Sequence, residues 1–129
     1  MRLLLDTHAF LWWVLADPKL SRRARTAIDD DTENDVVVSA ASAWEITTKY
    51  RIGKLPDARV VAADVSGAVA AEGFNEIAIS VRHAQRAGDL VGHHQDPFDR
   101  MLIAQAMLEG LTLVSNERTF DAYGVRRLW

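Results

Sequence analysis

The stretch Leu3-Leu4-Leu5-Asp6 is a short apolar run that ends in an acid, and the predicted fold starts from it. A continuous apolar run, without alternation of polar and apolar residues, is typical of a strand that is buried on both faces of a parallel sheet. Residues 7–15 follow at once, have the length and apolar content of a helix, and are interrupted at Asp17-Pro18. A buried strand followed by a helix is the repeating unit of α/β proteins.

Three further apolar runs alternate with helical segments in the same way, at residues 36–38, 74–79 and 111–114. Residues 124–129 predict a short last strand, and the run at 74–79 is expected near a sheet edge. Strands that alternate with helices imply right-handed crossovers and an open parallel sheet with helices on both faces. The prediction is an α/β protein in which residues 1–129 form a single domain, a three-layer α/β/α sandwich around a short parallel sheet.

One helix in this pattern has two alternative starts. It is expected to run to about residue 52, with Gly53 as its C-terminal stop. Either Ser42 and Glu45 form a capping box at its N-terminus, or the helix starts at Ser39 and Glu45 lies more than a turn inside. The other helices are expected at residues 22–28, 60–72, 81–87 and from 97 to the stop at Gly110.

The composition limits the classes of protein that fit. The chain has 129 residues, of which 49% are hydrophobic, and it contains no cysteine. Disulfides and thiolate metal sites are therefore excluded, which suits a reducing compartment, and a cytoplasmic location is expected. No stretch approaches the roughly 18 consecutive apolar residues of a membrane span, and Asp6 interrupts the N-terminus too early for a secretory signal. The net charge of −3 argues against a protein that coats nucleic acid, but not against a nucleic-acid enzyme with a metal site.

The start of the last long helix carries two acids. Pro97 fits the first helical position, which places Asp96 at the N-cap and Asp99 three residues later. Both acids could serve only the helix, because a cap and an acid in the first turn each stabilise a helix N-terminus. Asp99 could also belong to a site that it shares with acids from elsewhere in the chain.

Three more acids are expected at one edge of the sheet. Asp6 ends the first strand, Glu45 follows the second by a few residues, and Glu117 follows the fourth. In open α/β sheets, ligands bind outside the carboxyl ends of the strands. Converging carboxylates repel one another unless a cation or a proton intervenes, and Mg²⁺ and Mn²⁺ prefer such oxygen ligands. Together with Asp99, these acids predict a metal-assisted phosphodiesterase site that needs no protein nucleophile.

Basic residues and histidines near these acids are secondary candidates. Lys49 and Arg100 are expected either to contact a phosphate backbone or to lie on an ordinary charged surface. His8, His93 and His94 lack the spacing of a zinc-binding helix. His8 is a candidate for a role beside the site, whereas the other two are expected as polar loop residues or as groups near the substrate. The chain has no Gly-rich phosphate loop and no nucleophile elbow.

Several motifs occur together along nearly the full chain. They are Leu4-Leu5-Asp6-Thr7-His8 with Trp12-Trp13, Ser42-Ala43-Trp44-Glu45-Ile46, Gly53-Lys54-Leu55, Asp96-Pro97-Phe98-Asp99-Arg100-Met101-Leu102-Ile103-Ala104-Gln105-Ala106, Leu113-Val114-Ser115 and Tyr123-Gly124-Val125. This combination resembles the PIN-domain ribonucleases, specifically the VapC-like toxins of bacterial type II toxin–antitoxin pairs. The resemblance implies an α/β/α sandwich, Mg²⁺- or Mn²⁺-dependent endonuclease cleavage of RNA, a homodimer, and a cognate antitoxin whose tail covers the site.

The resemblance also implies roles for individual acids. The first, second and third acids of the family correspond to Asp6, Glu45 and Asp99, with Asp6 and Asp99 as direct metal ligands and Glu45 positioning or activating water. Asp99 is preferred to Asp96 because it lies sixteen residues before Ser115, as in the family. Asp96 is left as a helix cap or as an acid that reaches the metal through water.

The fourth acidic position departs from the family pattern. Relatives commonly have Thr-x-Asp after the last long strand, whereas this chain has Ser115-Asn116-Glu117. Glu117 keeps the charge and adds one methylene, so the resemblance gives it the role of assisting a second metal. The alternative function is a catalytically weak PIN module that binds RNA or antitoxin.

Overall fold

The computed structural model describes all residues, Met1–Trp129. Five strands form one sheet: β1 (Arg2–Leu5), β2 (Asp35–Ser39), β3 (Asn75–Ile77), β4 (Thr112–Val114) and β5 (Arg127–Leu128). The strands lie in the order β3-β2-β1-β4-β5, and every neighbouring pair is parallel. The predicted parallel sheet is therefore confirmed, with β1 at its centre and the segment around residue 76 at one edge.

Seven α-helices and two short 3₁₀ helices connect the strands. The α-helices are α1 (Thr7–Val14), α2 (Arg22–Asp29), α3 (Ala40–Arg51), α4 (Arg59–Ala63), α5 (Val65–Ala71), α6 (Val81–Asp89) and α7 (Pro97–Glu109). The 3₁₀ helices are Pro56–Ala58 and Arg118–Tyr123. No helix combines the length and the hydrophobicity that crossing a membrane requires.

The central strand separates two hydrophobic cores. Leu3, Leu4 and Leu5 are fully buried, and their side chains alternate between the two faces of the sheet. Leu3 and Leu5 belong to the larger core, which α1, α2, α3, α4 and α5 complete. Leu4 belongs to the smaller core, which α7 and Phe120 complete. This two-sided burial explains the unbroken apolar run of β1 and confirms the three-layer α/β/α arrangement.

The start of α3 resolves the two alternatives for Glu45. Ser39 is the N-cap, and its hydroxyl accepts a hydrogen bond from the Ala41 N–H at 3.0 Å. The capping box of Ser42 and Glu45 is therefore wrong, and Glu45 lies in the second turn of α3 as a buried residue. Ser42 is buried as well and contacts the first turn of α1 through Thr7.

The helix predicted at residues 60–72 is divided in two. Asp64 leaves the helical conformation, with φ −158° and ψ 84°, and its carboxylate accepts a hydrogen bond from the Gly67 N–H at 2.9 Å. The side chain of Asp64 thus competes with the helical backbone and starts α5 as its cap. Gly67 makes this cap possible, because a Cβ at that position would lie 2.3 Å from the Asp64 Oδ2 atom.

Candidate active site

The predicted acids approach one another at the carboxyl edge of the sheet. The negative charges of Glu45 and Glu117 act on Asp6, and those of Asp96 and Glu45 act on Asp99. Asp6 follows β1, Glu117 follows β4, Glu45 lies in α3, and the other two acids begin α7. The strand-end argument therefore located a real concentration of negative charge, which we call the acidic cluster (Asp6, Glu45, Asp96, Asp99 and Glu117).

Asp6 is a buried acid directly after β1. Its side chain caps α1 by accepting a hydrogen bond from the Ala9 N–H at 2.8 Å, and only 7% of the residue is exposed. Burial raises the pKa of Asp6 to about 6, against the lowering effect of hydrogen bonds from Ser115 and Ala9. The charges of Glu45 and Glu117 raise this pKa further. Asp6 is thus an acid held in a fixed orientation where its ionisation is unfavourable.

Glu45 is buried, with 3% exposure, and both of its oxygens have partners. Its Oε1 atom accepts a hydrogen bond from the Thr7 hydroxyl at 2.5 Å, and its Oε2 atom forms an ion pair with Lys49 one turn along α3. The Thr7 hydroxyl also lies 3.0 Å from that of Ser42. Sequence reasoning missed Thr7 and Ser42 as site residues. The spacing of Glu45 and Lys49 is that of a helical ion pair, so it could have indicated their contact.

Asp99 receives a hydrogen bond from a histidine that sequence analysis left undecided. The His94 Nε2 atom lies 2.8 Å from the Asp99 Oδ2 atom. Burial raises the pKa of Asp99 to about 6, and the charges of Asp96 and Glu45 add to this, whereas the hydrogen bond from His94 lowers it. His94 in turn packs against Phe120, with ring centroids 5.6 Å apart. His94 is therefore placed to orient Asp99.

Asp96 and Glu117 use their carboxylates on nearby backbone. Asp96 caps α7, where its Oδ1 atom accepts hydrogen bonds from the N–H groups of Phe98 and Asp99 at 2.9 Å and 3.1 Å. Its predicted role as a helix cap is confirmed. Glu117 is exposed, and its Oε1 atom accepts a hydrogen bond from the Thr119 hydroxyl at 3.0 Å. Glu117 is the one exposed member of the acidic cluster.

Lys49 is the cation inside the acidic cluster. Burial lowers its pKa, but the hydrogen bond and charge of Glu45, with the charges of Asp96 and Asp99, raise it overall. Its Nζ atom also lies 5.9 Å from the centre of the Phe98 ring. Lys49 therefore stays charged and offsets part of the repulsion among the acids.

The guanidinium group of Arg100 is engaged by the protein's own backbone. Its guanidinium group donates hydrogen bonds to four backbone carbonyls, two in the last turn of α6 and two in the loop that follows, and so it ties both to the first turn of α7. These carbonyls belong to Ala87, Gly88, Leu90 and His94. Arg100 holds the loop that carries His94, which explains why an arginine is found next to Asp99.

Of the remaining candidate histidines, neither His93 nor His8 forms an ion pair with the acids. His93 is exposed and forms no side-chain hydrogen bond, and it borders an open cavity with His94 and Tyr123. His8 is exposed on α1, with its ring 5.5 Å from that of Trp12. His8 is thus located beside the acidic cluster, two residues from Asp6, without joining it.

The donor chemistry of the acidic cluster suits a hard divalent cation. Every acid offers carboxylate oxygens, which such cations prefer as ligands. The single positive charge of Lys49 does not neutralise the negative charges of these acids. No group of three or more His, Asp or Glu side chains stands close enough together to hold an ion as arranged here. Two of the carboxylates already have partners, since Glu45 forms the ion pair with Lys49 and Asp96 caps α7.

The fold is shared with solved toxin structures. This chain superposes on the structure of VapBC2 from Rickettsia felis, which was solved with a DNA fragment from its promoter. The superposition covers 98% of this chain and 97% of the VapBC2 chain, with a TM-score of 0.72 and 16% sequence identity. The chain superposes similarly on Mycobacterium tuberculosis VapC20, described as a toxin that cleaves the sarcin–ricin loop, with a TM-score of 0.68, 16% identity and 95% coverage of both chains. At such identities these likenesses show the fold alone.

Sequence comparison gives the family. A stretch of 30 residues is 60% identical to ribonuclease VapC16 of Mycobacterium tuberculosis, and this match spans 23% of this chain and 21% of that relative. The family model of the PIN domain matches residues 3–125, which is almost the whole chain. The match includes all five acids, and we conclude that the chain belongs to the PIN-domain family.

Proposed function

We propose that this chain is a metal-dependent endoribonuclease that hydrolyses RNA phosphodiester bonds at the acidic cluster. The observation that carries the proposal is that Asp6 and Asp99, two oriented carboxyls whose pKa burial raises to about 6, both experience the charge of Glu45, in a member of the PIN-domain family. Acids with perturbed pKa values that lie near one another are typical of functional sites.

The residues divide into those that would hold the metal and those that hold the acids. Asp6 and Asp99 would bind Mg²⁺ or Mn²⁺ directly, Glu45 would position or activate water, and Glu117 would assist a second ion, with Asp96 contributing through water. The bound ion supplies a Lewis acid, which activates water and stabilises the charge that develops on phosphorus-bound oxygens. Thr7 and Lys49 fix the two oxygens of Glu45.

The test is RNA cleavage by the wild type and by Asp99→Asn, each in Mg²⁺, Mn²⁺ or a chelator. The wild type should cleave only with metal, and Asp99→Asn should lose at least about 100-fold in rate, because an amide oxygen is a poorer metal ligand. Asp89→Asn is the matched control, since Asp89 is exposed on α6, and it should cleave like the wild type. Cleavage by Asp99→Asn at the wild-type rate would refute the assignment.

The alternative is a PIN module that binds RNA or antitoxin with little catalysis. The observation that favours it is that no three acids stand close enough to hold an ion as arranged here. RNA affinity without any metal-stimulated cleavage by the wild type would support this alternative.

We further propose that the chain is the toxin of a bacterial toxin–antitoxin pair and forms a homodimer. Support comes from the shared fold of the VapBC2 and VapC20 structures. Induced expression should arrest growth, and co-expression of the small protein encoded next to it should relieve the arrest. Growth arrest by Asp99→Asn equal to that by the wild type would separate toxicity from RNA cleavage and contradict this part of the proposal.

A further inference from the structure

A second concave feature lies beside the acidic cluster, along α1. A cleft of about 290 Å³ opens between α1, the turn that follows it, and the segment that joins α3 to α4. His8 and Trp12 line it from α1, Lys19 from the turn, and Lys54 and Asp57 from the joining segment. We call this feature the α1 cleft. It borders the acidic cluster at His8 but contains none of its acids.

Trp12 gives the α1 cleft a flat aromatic wall. Its ring centroid lies 5.5 Å from that of His8 and 5.9 Å from that of Trp129, so the half-buried indole is supported on two sides. The Nζ atom of Lys19 lies 5.9 Å from the same ring. A supported indole beside a cation is the combination on which single-stranded nucleic-acid binders stack their bases.

The charged groups of the α1 cleft are available for a ligand. Lys19, Lys54 and Asp57 take part in none of the ion pairs of the protein. Lysine ammonium groups suit a phosphate, and a carboxylate accepts hydrogen bonds from the N–H groups of a base. An apolar helix of a partner would fit poorly, because Asp17 adds a fourth charged side chain to the lining and all four would lose water.

We propose that the α1 cleft binds one unpaired nucleobase of the RNA substrate, with Trp12 stacking on the base and Lys54 contacting an adjacent phosphate. The inference rests on the proposed function, because its ligand is the RNA that the acidic cluster cleaves. It adds a specificity-determining subsite outside the metal-binding acids. His8 lines the cleft from the first turn of α1, two residues after Asp6, so the proposal places the bound base near the acidic cluster.

The test compares RNA binding by matched protein and RNA variants. The full chain carrying Asp99→Asn, which slows cleavage in the proposed function, is titrated in chelator with a single-stranded oligonucleotide and with copies that lack one base at each successive position. One position should matter most, with a loss of about 5- to 50-fold in affinity when its base is absent, as expected for a single stacked base. Adding Trp12→Leu should reduce this loss to less than about 2-fold.

The control is the same change at the next residue. Trp13 lies outside the cleft, where its Nε1 atom donates to Glu72 at 3.0 Å and its ring packs near Phe74, so Trp13→Leu should keep the base-dependent loss. Lys54→Gln should weaken binding of all the oligonucleotides, including the abasic ones, by a similar factor and lower the salt dependence. Trp12→Phe, which retains a ring, should restore part of the base dependence if Trp12→Leu perturbs the fold.

Failure of the inference and failure of the proposed function give different results. One outcome is that the wild type cleaves RNA with metal but that no base position has an effect that depends on Trp12. This outcome would overturn the proposed base-binding subsite and would still support the proposed nuclease activity. A Trp12-dependent base effect without cleavage by the wild type would support the subsite and refute the nuclease. An unchanged base dependence in Trp12→Leu, or no detectable RNA binding at all, would overturn the inference.

Discussion

Individual acids in this protein serve the backbone and the site at the same time. Asp6 caps α1 while it faces the charges of Glu45 and Glu117, and Asp99 lies in the first turn of α7 while it accepts a hydrogen bond from His94. The capping contacts stabilise each helix, but ionising a buried carboxyl beside other acids destabilises the fold. These residues therefore stabilise the fold through their helix-end contacts and destabilise it, to an extent that depends on pH, when their carboxyls ionise.

The penalty at Asp6 predicts that Asp6→Asn stabilises the metal-free protein. The pKa of Asp6 is raised to about 6 in the folded state, so the folded state binds more protons than the unfolded state between about pH 4 and pH 6. Folding stability contributed by this group therefore falls as pH rises through that range. In urea denaturation with chelator, Asp6→Asn should be more stable than the wild type at pH 7.5, by up to about 3 kcal/mol.

At pH 4, where Asp6 is largely protonated in the folded state, the advantage of Asp6→Asn should largely disappear. Asparagine caps a helix about as well as aspartate, so the change preserves the contact with Ala9. A stability difference that is the same at both pH values, or a destabilised variant at pH 7.5, would contradict this interpretation of Asp6.

The hydrogen bond from His94 predicts a positioning role. His94→Ala should lower cleavage by about 10- to 100-fold, mainly in kcat, and raise the metal concentration needed for half-maximal rate, because residues that orient a metal ligand have effects of this size. His93→Ala is the matched control, since His93 is exposed and forms no side-chain hydrogen bond. Equal effects of the two substitutions would show that the loop, rather than the contact with Asp99, matters.

At the scale of elements, the helix starts decide where the acids are. Ser39 sets the beginning of α3 and so places Glu45 one turn inside, against Thr7. Asp96 and Pro97 begin α7 and place Asp99 in its first turn. Arg100 donates hydrogen bonds to four backbone carbonyls in the last turn of α6 and in the loop before α7, and these bonds hold His94 near Asp99. Helix caps and short-range hydrogen bonds thus determine where the acids of the acidic cluster lie.

The division between α4 and α5 predicts a coupling between Asp64 and Gly67. Gly67→Ala alone should destabilise the protein, because the added Cβ would lie 2.3 Å from the Asp64 Oδ2 atom. Asp64→Ala alone should cost about 0.5–2 kcal/mol through loss of the cap. With Asp64→Ala already present, Gly67→Ala should stabilise by about 0.5–1 kcal/mol, because alanine has the higher helix propensity. Additive effects in a thermal-unfolding double-mutant cycle would contradict the clash.

The sequence was most informative where a local signal determines structure. The apolar runs predicted four strands, and the pair Asp96-Pro97 predicted the start of α7, because burial on both faces and helix capping both act through neighbouring residues. The break at Asp64 was missed because a capping aspartate inside an alanine- and valine-rich run resembles an ordinary helical position. The start of α3 was left open because two serines both fitted as caps.

At the scale of the whole molecule, a parallel sheet with two cores brings distant segments to one edge. β1 lies between β2 and β4, so the residues that follow these strands become neighbours although they are far apart in sequence. The strand order predicts that these segments are neighbours, but it does not predict which of their side chains are in contact. The hydrogen bond between Thr7 and Glu45 joins residues 38 positions apart, and the packing of Trp12 on Trp129 joins the first helix to the last residue. Neither contact has a signal in a single sequence.

The central claim is that the acidic cluster uses a divalent cation to hydrolyse RNA. Its most direct test is the rate of cleavage of an end-labelled RNA as a function of Mg²⁺ concentration, for the wild type and for Asp6→Asn. The wild-type rate should rise to saturation with Mg²⁺ and fall to background with chelator. Asp6→Asn should need at least about 10-fold more Mg²⁺ or show no cleavage. Wild-type cleavage that persists in chelator, or an Asp6→Asn curve that coincides with that of the wild type, would contradict the claim.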